Sequence, residues 1–127
     1  MPNFAQFVAF KDDPFTLSAA FTAPAHVLFG DETIPHLNDL DNARDAVLAF
    51  NVVSIGTGGQ LTMTFNGQQV LPQIIFPGFR SRHVWHEILP GSILHVQNNQ
   101  LAITVSALLG MVRVTLSDFV LTYHASA

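Results

Sequence analysis

Residues 80–87 form the densest run of chemically active side chains in the sequence, reading Arg-Ser-Arg-His-Val-Trp-His-Glu. On an extended strand His83, Trp85 and Glu87 lie on one face, because successive side chains point to opposite sides. Arg82 begins the other face. An indole ring stacks on the apolar side of a sugar ring, and charged groups beside it bind the hydroxyls. Trp85, His83, Glu87 and Arg82 are therefore the candidate ligand-binding residues, and the ligand class they favour is carbohydrate.

The only Trp of the chain also fits a second interpretation. A large aromatic side chain in a small β-protein is commonly buried, so Trp85 is alternatively a core anchor of one sheet, with its neighbours lining a subunit interface. Its exposure separates the two interpretations. An indole that faces a groove supports a ligand site, and a fully buried indole supports the core.

Six His residues raise a metal hypothesis, because imidazole is a common ligand of first-row transition metals. His83 and His86 are three residues apart, which puts them on opposite faces of a strand. His86 and His95 would meet only across a hairpin. His95 with Asn99 is faintly similar to the second cupin metal motif, whereas the first motif, two His two residues apart followed by Glu, is missing. A degenerate cupin-like metalloenzyme is the third hypothesis.

Asp39, Asp41 and Asp45 have some of the spacing of oxygen ligands for a structural Ca²⁺, without the dedicated Asp-x-Asp-x-Asp-Gly pattern. The alternative is a solvated acidic loop. No other cofactor is indicated, since the sequence lacks a phosphate loop, a dinucleotide fingerprint and a Gly-x-Ser-x-Gly elbow. Glu87 and Glu32 are the only Glu residues, so a carboxylate pair for glycoside hydrolysis would need a distant Asp. The sequence favours a protein that is not an enzyme.

The composition limits the remaining classes of protein. With 49% hydrophobic and 11% charged residues, the 127-residue chain has enough apolar surface to fold, which excludes a disordered protein. Its length predicts one domain over residues 1–127. The absence of Cys excludes disulfides, thiolate catalysis and Cys-ligated metals. A net charge of −4 with five basic residues argues against nucleic-acid binding.

The elements that position residues 80–87 are predicted to be strands. Several runs alternate apolar and polar residues, and period two is the pattern of a half-buried strand. The alternating runs are 15–21, 61–65, 101–106 and 112–116. Asn66-Gly67 predicts a hairpin that leads into a strand over 68–75. Further strands are expected at 26–29, 46–53, 82–89, 93–96 and 119–124, with a break at Ser117-Asp118 and a helical turn near 37–43. Eight or nine strands joined by turns predict an all-β sandwich or barrel.

Four segments of the chain carry a family resemblance. They are Gly59-Gln-Leu-Thr-Met-Thr-Phe-Asn-Gly67, Leu89-Pro-Gly-Ser-Ile-Leu94 with Asn98-Asn-Gln-Leu-Ala-Ile-Thr-Val-Ser106, Gly110-Met-Val-Arg-Val-Thr-Leu116, and Ser117-Asp-Phe-Val-Leu-Thr-Tyr123. In this order, over residues 46–124, they resemble the galactose-binding-domain-like jelly roll of carbohydrate-binding modules and lyase accessory domains. Gln97 replaces the usual Gly before the paired Asn, and the hairpin at 107–109 is unusually aliphatic. The resemblance implies an antiparallel β-sandwich of jelly-roll type and a carbohydrate ligand.

No basic region followed by a long apolar stretch opens the sequence, so no secretory signal peptide is visible and the cytoplasm is the default location. No run approaches the roughly 18 apolar residues of a membrane-spanning helix. A chain this poor in charge is expected to cover part of its surface with a second copy of itself or with another protein. We therefore predict a small lectin-like carbohydrate-binding module, non-catalytic and homo-oligomeric. The alternative is a structural or assembly subunit with no small ligand.

Overall fold

Antiparallel β-strands make up almost all the regular structure of the described residues, which in this computed structural model are 3–30, 34–55, 59–76, 83–108 and 110–126. The nine strands are β1 (Asn3–Lys11), β2 (Phe15–Ala20), β3 (Ala25–Phe29), β4 (Ala46–Ile55), β5 (Gly59–Phe65), β6 (Gln68–Phe76), β7 (His83–Leu89), β8 (Leu101–Ala107) and β9 (Met111–Ser126). A 3₁₀ turn at Gly91–Ile93 lies between β7 and β8. No helix in these ranges has the length and apolar character needed to cross a bilayer.

The strands form two sheets. In the five-stranded sheet β1, β9, β4 and β7 follow one another, and β2 also pairs with β9. β2 pairs with the first half of β9 and β1 with the second half. The order of the four-stranded sheet is β3, β8, β5, β6. β6 and β7 are therefore edge strands of opposite sheets, and they contact each other along one side of the sandwich.

The core lies between the sheets because each strand presents one apolar face to the other sheet. In β4 the residues Leu48, Phe50 and Val52 are buried, and the residues between them are half-exposed. The Phe50 ring stacks on that of Phe119 with 5.1 Å between centroids. Burial of each such side chain stabilises the fold by about 1.5–3 kcal/mol.

The β5–β6 hairpin turns through Asn66 and Gly67, with φ of 52° and 83°. Positive φ at both central positions defines a type I′ turn, whose twist matches that of the flanking strands. The Asn-Gly prediction is therefore confirmed. Gly is needed at the second position because a side chain there would be strained.

β9 runs without interruption through the break predicted at Ser117-Asp118. Asp118 has a φ of 54°, and the pairing with β4 shifts by one residue there: Ala49 lies opposite Val120, and Asn51 lies opposite Ser117. This is a β-bulge, which takes up one extra residue while the ladder continues on both sides. The two strands predicted at 112–116 and 119–124 are thus one bulged strand.

Three expectations about local structure are wrong. The helical turn near 37–43 does not form, because the amides of Leu37 and Asp41 donate to the carbonyls of Val96 and His124. These bonds tie the two amides to other parts of the sandwich instead of to a helical turn. The strand expected at 93–96 is replaced by the 3₁₀ turn and the loop after it. Phe21 does not extend the inner face of β2, since it lies in a turn and is exposed.

Candidate functional site

The described candidate residues all lie on β7, and within the described part of the chain β7 pairs with β4 alone. His83 lies opposite Val52, Trp85 opposite Phe50, and Glu87 opposite Leu48. Directly opposed residues share a face of the sheet, and these three β4 residues are buried in the core. His83, Trp85 and Glu87 therefore point to the inner side of the sheet, in one line along its edge. We call these three residues the β7 row.

Trp85 is half-buried and packs against the edge of the core. Its indole Nε1–H donates to Oε1 of Glu87 at 2.9 Å. Residues two apart on a strand share a face, which is why the bond forms, and it satisfies the only donor of the indole. Part of the ring thus belongs to the core and part is accessible. Neither the fully buried anchor nor the fully exposed platform describes it.

The other two members of the β7 row differ in exposure. His83, at the start of the strand, is exposed, and Glu87 is half-buried beside the indole. An ionised carboxylate has two acceptor oxygens, so Glu87 has capacity beyond the indole bond. Arg82, the fourth candidate residue, lies outside the described residues. The prediction that His83, Trp85 and Glu87 share a face is confirmed.

The outer side of β7 carries Val84, His86 and Ile88. All three are exposed, with 60% of Val84 and 68% of Ile88 accessible. His83 and His86 therefore lie on opposite faces of the strand, as their spacing predicts. The outer side of β7 is apolar except for His86.

The geometry gives no support to the metal hypothesis. Among the described residues, no group of three or more His, Cys, Asp or Glu side chains is placed to hold a metal ion. β7 and β8 belong to different sheets, so the hairpin that would bring His86 to His95 does not form. The Asn99 side chain instead bonds the backbone of His95.

The acidic segment proposed for Ca²⁺ is organised by its own turns. Oδ1 of Asp41 accepts the amide of Ala43 at 3.1 Å, and Oδ2 lies 3.7 Å from Nε of Arg44. Asp39 has a φ of 59°, and its carbonyl accepts the amide of Ser126. These contacts hold the segment across the end of the sandwich.

Sequence reasoning missed a buried polar network at that same end. Asn99 is fully buried; its Oδ1 accepts the amide of His95 at 2.9 Å, and its Nδ2 donates to the His95 carbonyl at 2.7 Å. Asn66 donates to Oδ1 of Asn99 at 2.9 Å and to the carbonyl of Ile93 at 2.6 Å, and it accepts the amide of Gln100 at 2.7 Å. Asn66-Gly67 was noticed as a turn signal. Nothing in the sequence pairs Asn66 with a residue 33 positions away.

Tyr123 is a second buried anchor of this end. Its hydroxyl lies 3.2 Å from both Oε1 of Gln6 and the carbonyl of Asn38. Burial raises the pKa of Tyr123 above the usual 10.0, and the negative charge of Asp39 acts in the same direction. The phenol is therefore neutral in the folded protein at physiological pH.

The fold is similar to those of known carbohydrate-binding modules. A family 35 module from Clostridium thermocellum matches with a TM-score of 0.54 and 12% identity, over 95% of this chain and 99% of that module. The C-terminal CBM6 of LamC, a laminarinase from Zobellia galactanivorans, matches with a TM-score of 0.51 and 8% identity, over 94% and 99%. Dimeric latent PorU from Porphyromonas gingivalis matches with a TM-score of 0.53 and 10% identity over 94% of this chain, which spans 13% of PorU.

No protein-family model and no curated protein sequence matches the chain. The structural likeness, at identities this low, establishes the architecture. The chain has a jelly-roll fold similar to that of these carbohydrate-binding modules, built as an antiparallel β-sandwich. The fold prediction is confirmed.

Proposed function

We propose that this protein is a non-catalytic carbohydrate-binding module, with residues 1–127 as one domain, and that it binds sugar at the β7 row. The observation that carries the proposal is the half-buried Trp85, held by Glu87 on β7, an edge strand of a carbohydrate-binding-module fold. An accessible aromatic surface with polar groups on either side is what a pyranose needs, because its two faces are apolar and its rim carries hydroxyls.

Each residue of the β7 row makes a different contact with the sugar. The indole supplies apolar contact, and its bond to Glu87 orients the ring before ligand arrives. Glu87 accepts hydrogen bonds from sugar hydroxyls at the acceptor positions that the indole bond leaves, and exposed His83 contributes at the other end of the row. Stacking with two or three hydrogen bonds yields a Kd on the order of 0.1–1 mM, because the hydroxyls must first lose their water.

A glycan array followed by calorimetric titration with the best hit tests the proposal. Trp85→Ala is expected to weaken binding at least about tenfold, and Trp85→Phe less, because a smaller ring still stacks. Phe21→Ala is the matched control, since it removes an exposed aromatic side chain from a turn away from β7. Circular dichroism checks that each variant is folded. Equal affinities for the wild type and Trp85→Ala would contradict the β7 site, and a blank array would contradict carbohydrate binding.

We further propose that the module is a homo-oligomer assembled through the outer face of the five-stranded sheet. The apolar side chains that support this are Phe7, Val47, Val84, Ile88, Met111 and Val120. Four of them are at least 60% exposed. Strand spacing of about 4.8 Å and a rise of about 3.4 Å per residue give this face roughly 40 by 15–19 Å. The resulting area, on the order of 600–800 Å², approaches the 800 Å² or so that each partner of a standard interface buries.

Light scattering at micromolar concentration tests the assembly. The wild type is expected to be a dimer, and Ile88→Asp a 13.9 kDa monomer, because a charge would be buried against an apolar partner. Leu28→Asp is the control: Leu28 is 64% exposed, but it lies on β3 of the other sheet. A wild-type protein that is monomeric under these conditions would contradict the proposed homo-oligomer.

The same face favours a second function, a structural or assembly subunit that has no small ligand. Several exposed apolar side chains on one face of a small protein mark an interaction site. The two functions differ in outcome: a stable oligomer with a blank glycan array identifies the assembly subunit, and reproducible sugar binding identifies the module.

A further inference from the structure

A second concave site lies at the end of the sandwich, where the chain passes from β7 through the 3₁₀ turn towards β8. Its volume is about 320 Å³, and it is lined by Asn66, Gln68, Pro90, Ser92, Ile93 and His95. We call it the end pocket. Small-molecule sites usually measure roughly 300–1,000 Å³, so this one fits a ligand with a single ring.

The floor of the end pocket is held together by hydrogen bonds. Buried Asn99 holds the backbone of His95 at both its amide and its carbonyl, and Asn66 bonds both Asn99 and the Ile93 carbonyl. A Cβ added to Gly91 would clash with the carbonyl oxygen of Arg44, so the 3₁₀ turn packs tightly against the backbone of residues 42–44. The network joins the β5–β6 turn to the 90–100 loop before any ligand binds, which lowers the cost of ordering the site.

The rim, in contrast to the floor, offers exposed polar groups. Gln68, Ser92 and His95 are exposed, and no hydrogen bond of their side chains to another described residue is found. An amide, a hydroxyl and a neutral imidazole each both donate and accept. Pro90 and Ile93 add apolar surface beside them.

The residue types that line the end pocket restrict the class of ligand it fits. The described lining contains no Lys, Arg, Asp or Glu, so neither an anion nor a metal cation finds a full opposite charge. The described lining contains no Phe, Tyr or Trp ring, the large aromatic surfaces on which a planar base stacks. Vicinal hydroxyls both donate and accept, as the rim groups do, and the C–H faces of a sugar ring match the proline and isoleucine. We propose that the end pocket binds one pyranose unit of an uncharged sugar, independently of the β7 row.

The two sites share a ligand class but no residue, so one titration examines both. In ¹⁵N–¹H NMR spectra, the backbone amides of Ser92 and Ile93 report the end pocket, and the indole Nε1–H of Trp85 reports the β7 row. The probes are D-glucose, D-galactose, D-mannose and D-xylose, with inorganic phosphate as an anionic comparison. Concentrations up to about 100 mM are needed, because a few hydrogen bonds to one ring give a Kd on the order of 1–10 mM.

At least one sugar is expected to shift the end-pocket amides in the wild type and in Trp85→Ala. His95→Ala and Ser92→Ala are each expected to weaken that response about five- to tenfold, since each removes one hydrogen-bonding group. His86→Ala, which removes an exposed imidazole from the outer side of β7, is expected to leave it unchanged.

Two outcomes overturn the end pocket. They are no response of these amides to any of the sugars, and a response to phosphate that exceeds the response to sugar. Where the amides do not respond but the Trp85 indole does, the proposed function of the β7 row stays intact. Shifts confined to the end-pocket amides would instead uphold the end pocket and count against the β7 row.

Discussion

The β7 row and the end pocket are separated by a few residues of the same chain, yet different interactions hold them. The row lies on an edge strand that pairs with β4, and a side-chain hydrogen bond joins Trp85 to Glu87. The end pocket has a fully buried Asn99 that joins separate segments through several hydrogen bonds. The β7 row therefore has an accessible aromatic surface but few hydrogen bonds that hold it. The end pocket has a floor held by several hydrogen bonds, and its free polar groups lie on the rim.

The largest effect expected from this contrast is at Asn99. Asn99→Ala leaves the backbone of His95 and the amide of Asn66 without their buried partner. Buried polar groups that lose their hydrogen bonds cost about 1–3 kcal/mol each, so the free energy of unfolding should fall by roughly 2–4 kcal/mol. Urea denaturation measures it. Gln100→Ala, an exposed neighbour, is the control and should stay within about 0.5 kcal/mol. If Asn99→Ala lowered the free energy of unfolding by less than about 1 kcal/mol, the Asn99 network would not be what stabilises this end of the sandwich.

Trp85→Ala comes next in size. Truncating a fully buried aromatic costs about 3–5 kcal/mol, and a half-buried one is expected to cost about half of that, roughly 1.5–2.5 kcal/mol. Trp85 is the only Trp, so its fluorescence reports this position alone. Acrylamide should quench it partially, between the limits of a buried and a free indole. Complete protection from quenching, together with a loss above about 3 kcal/mol, would make Trp85 a core anchor and remove the β7 site.

The two candidate sites also differ in how far the sequence predicts them. The β7 row was predicted because its information is local: three residues at spacing two, of types that bind sugars, lie on one strand. The end pocket was not predicted, since Asn66 and Asn99 meet only after β5 and β8 have paired. Their residue types, moreover, are common in turns.

The fold shows the same division. Strands with strict alternation, such as β5 and β8, were predicted close to their observed bounds. β1 was missed: Phe4, Phe7 and Phe10 recur every third residue, closer to the period of a helix than of a strand, and pairing with β9 decides the conformation. The helical turn predicted near 37–43 does not form for a related reason. The amides of Leu37 and Asp41 donate to carbonyls of residues distant in sequence.

Tyr123 gives the smallest effect and the one that depends on pH. Its hydroxyl donates to Oε1 of Gln6 and to the carbonyl of Asn38, at the same end of the sandwich as the end pocket. Burial raises the pKa of Tyr123 above 10.0. Below pH 10 the phenol is neutral in both the folded and the unfolded chain, so its contribution to stability is fully present. As the pH rises from 10 towards the folded-state pKa, the unfolded chain loses the proton first. Proton loss then favours unfolding, and stability falls by at most about 1.4 kcal/mol per pH unit.

Tyr123→Phe separates this titration from the other groups that ionise in alkali. At neutral pH it should lower the free energy of unfolding by about 1 kcal/mol, because the phenol hydrogen bonds are lost. Above pH 10 the difference from the wild type should shrink, since only the wild type carries the phenol. The chain has one Tyr, so phenolate absorbance at alkaline pH follows Tyr123 directly and should show a midpoint above 10.0. A midpoint at or below 10.0, with parallel stability curves for the two proteins, would show that Tyr123 is solvated and does not anchor the pocket end.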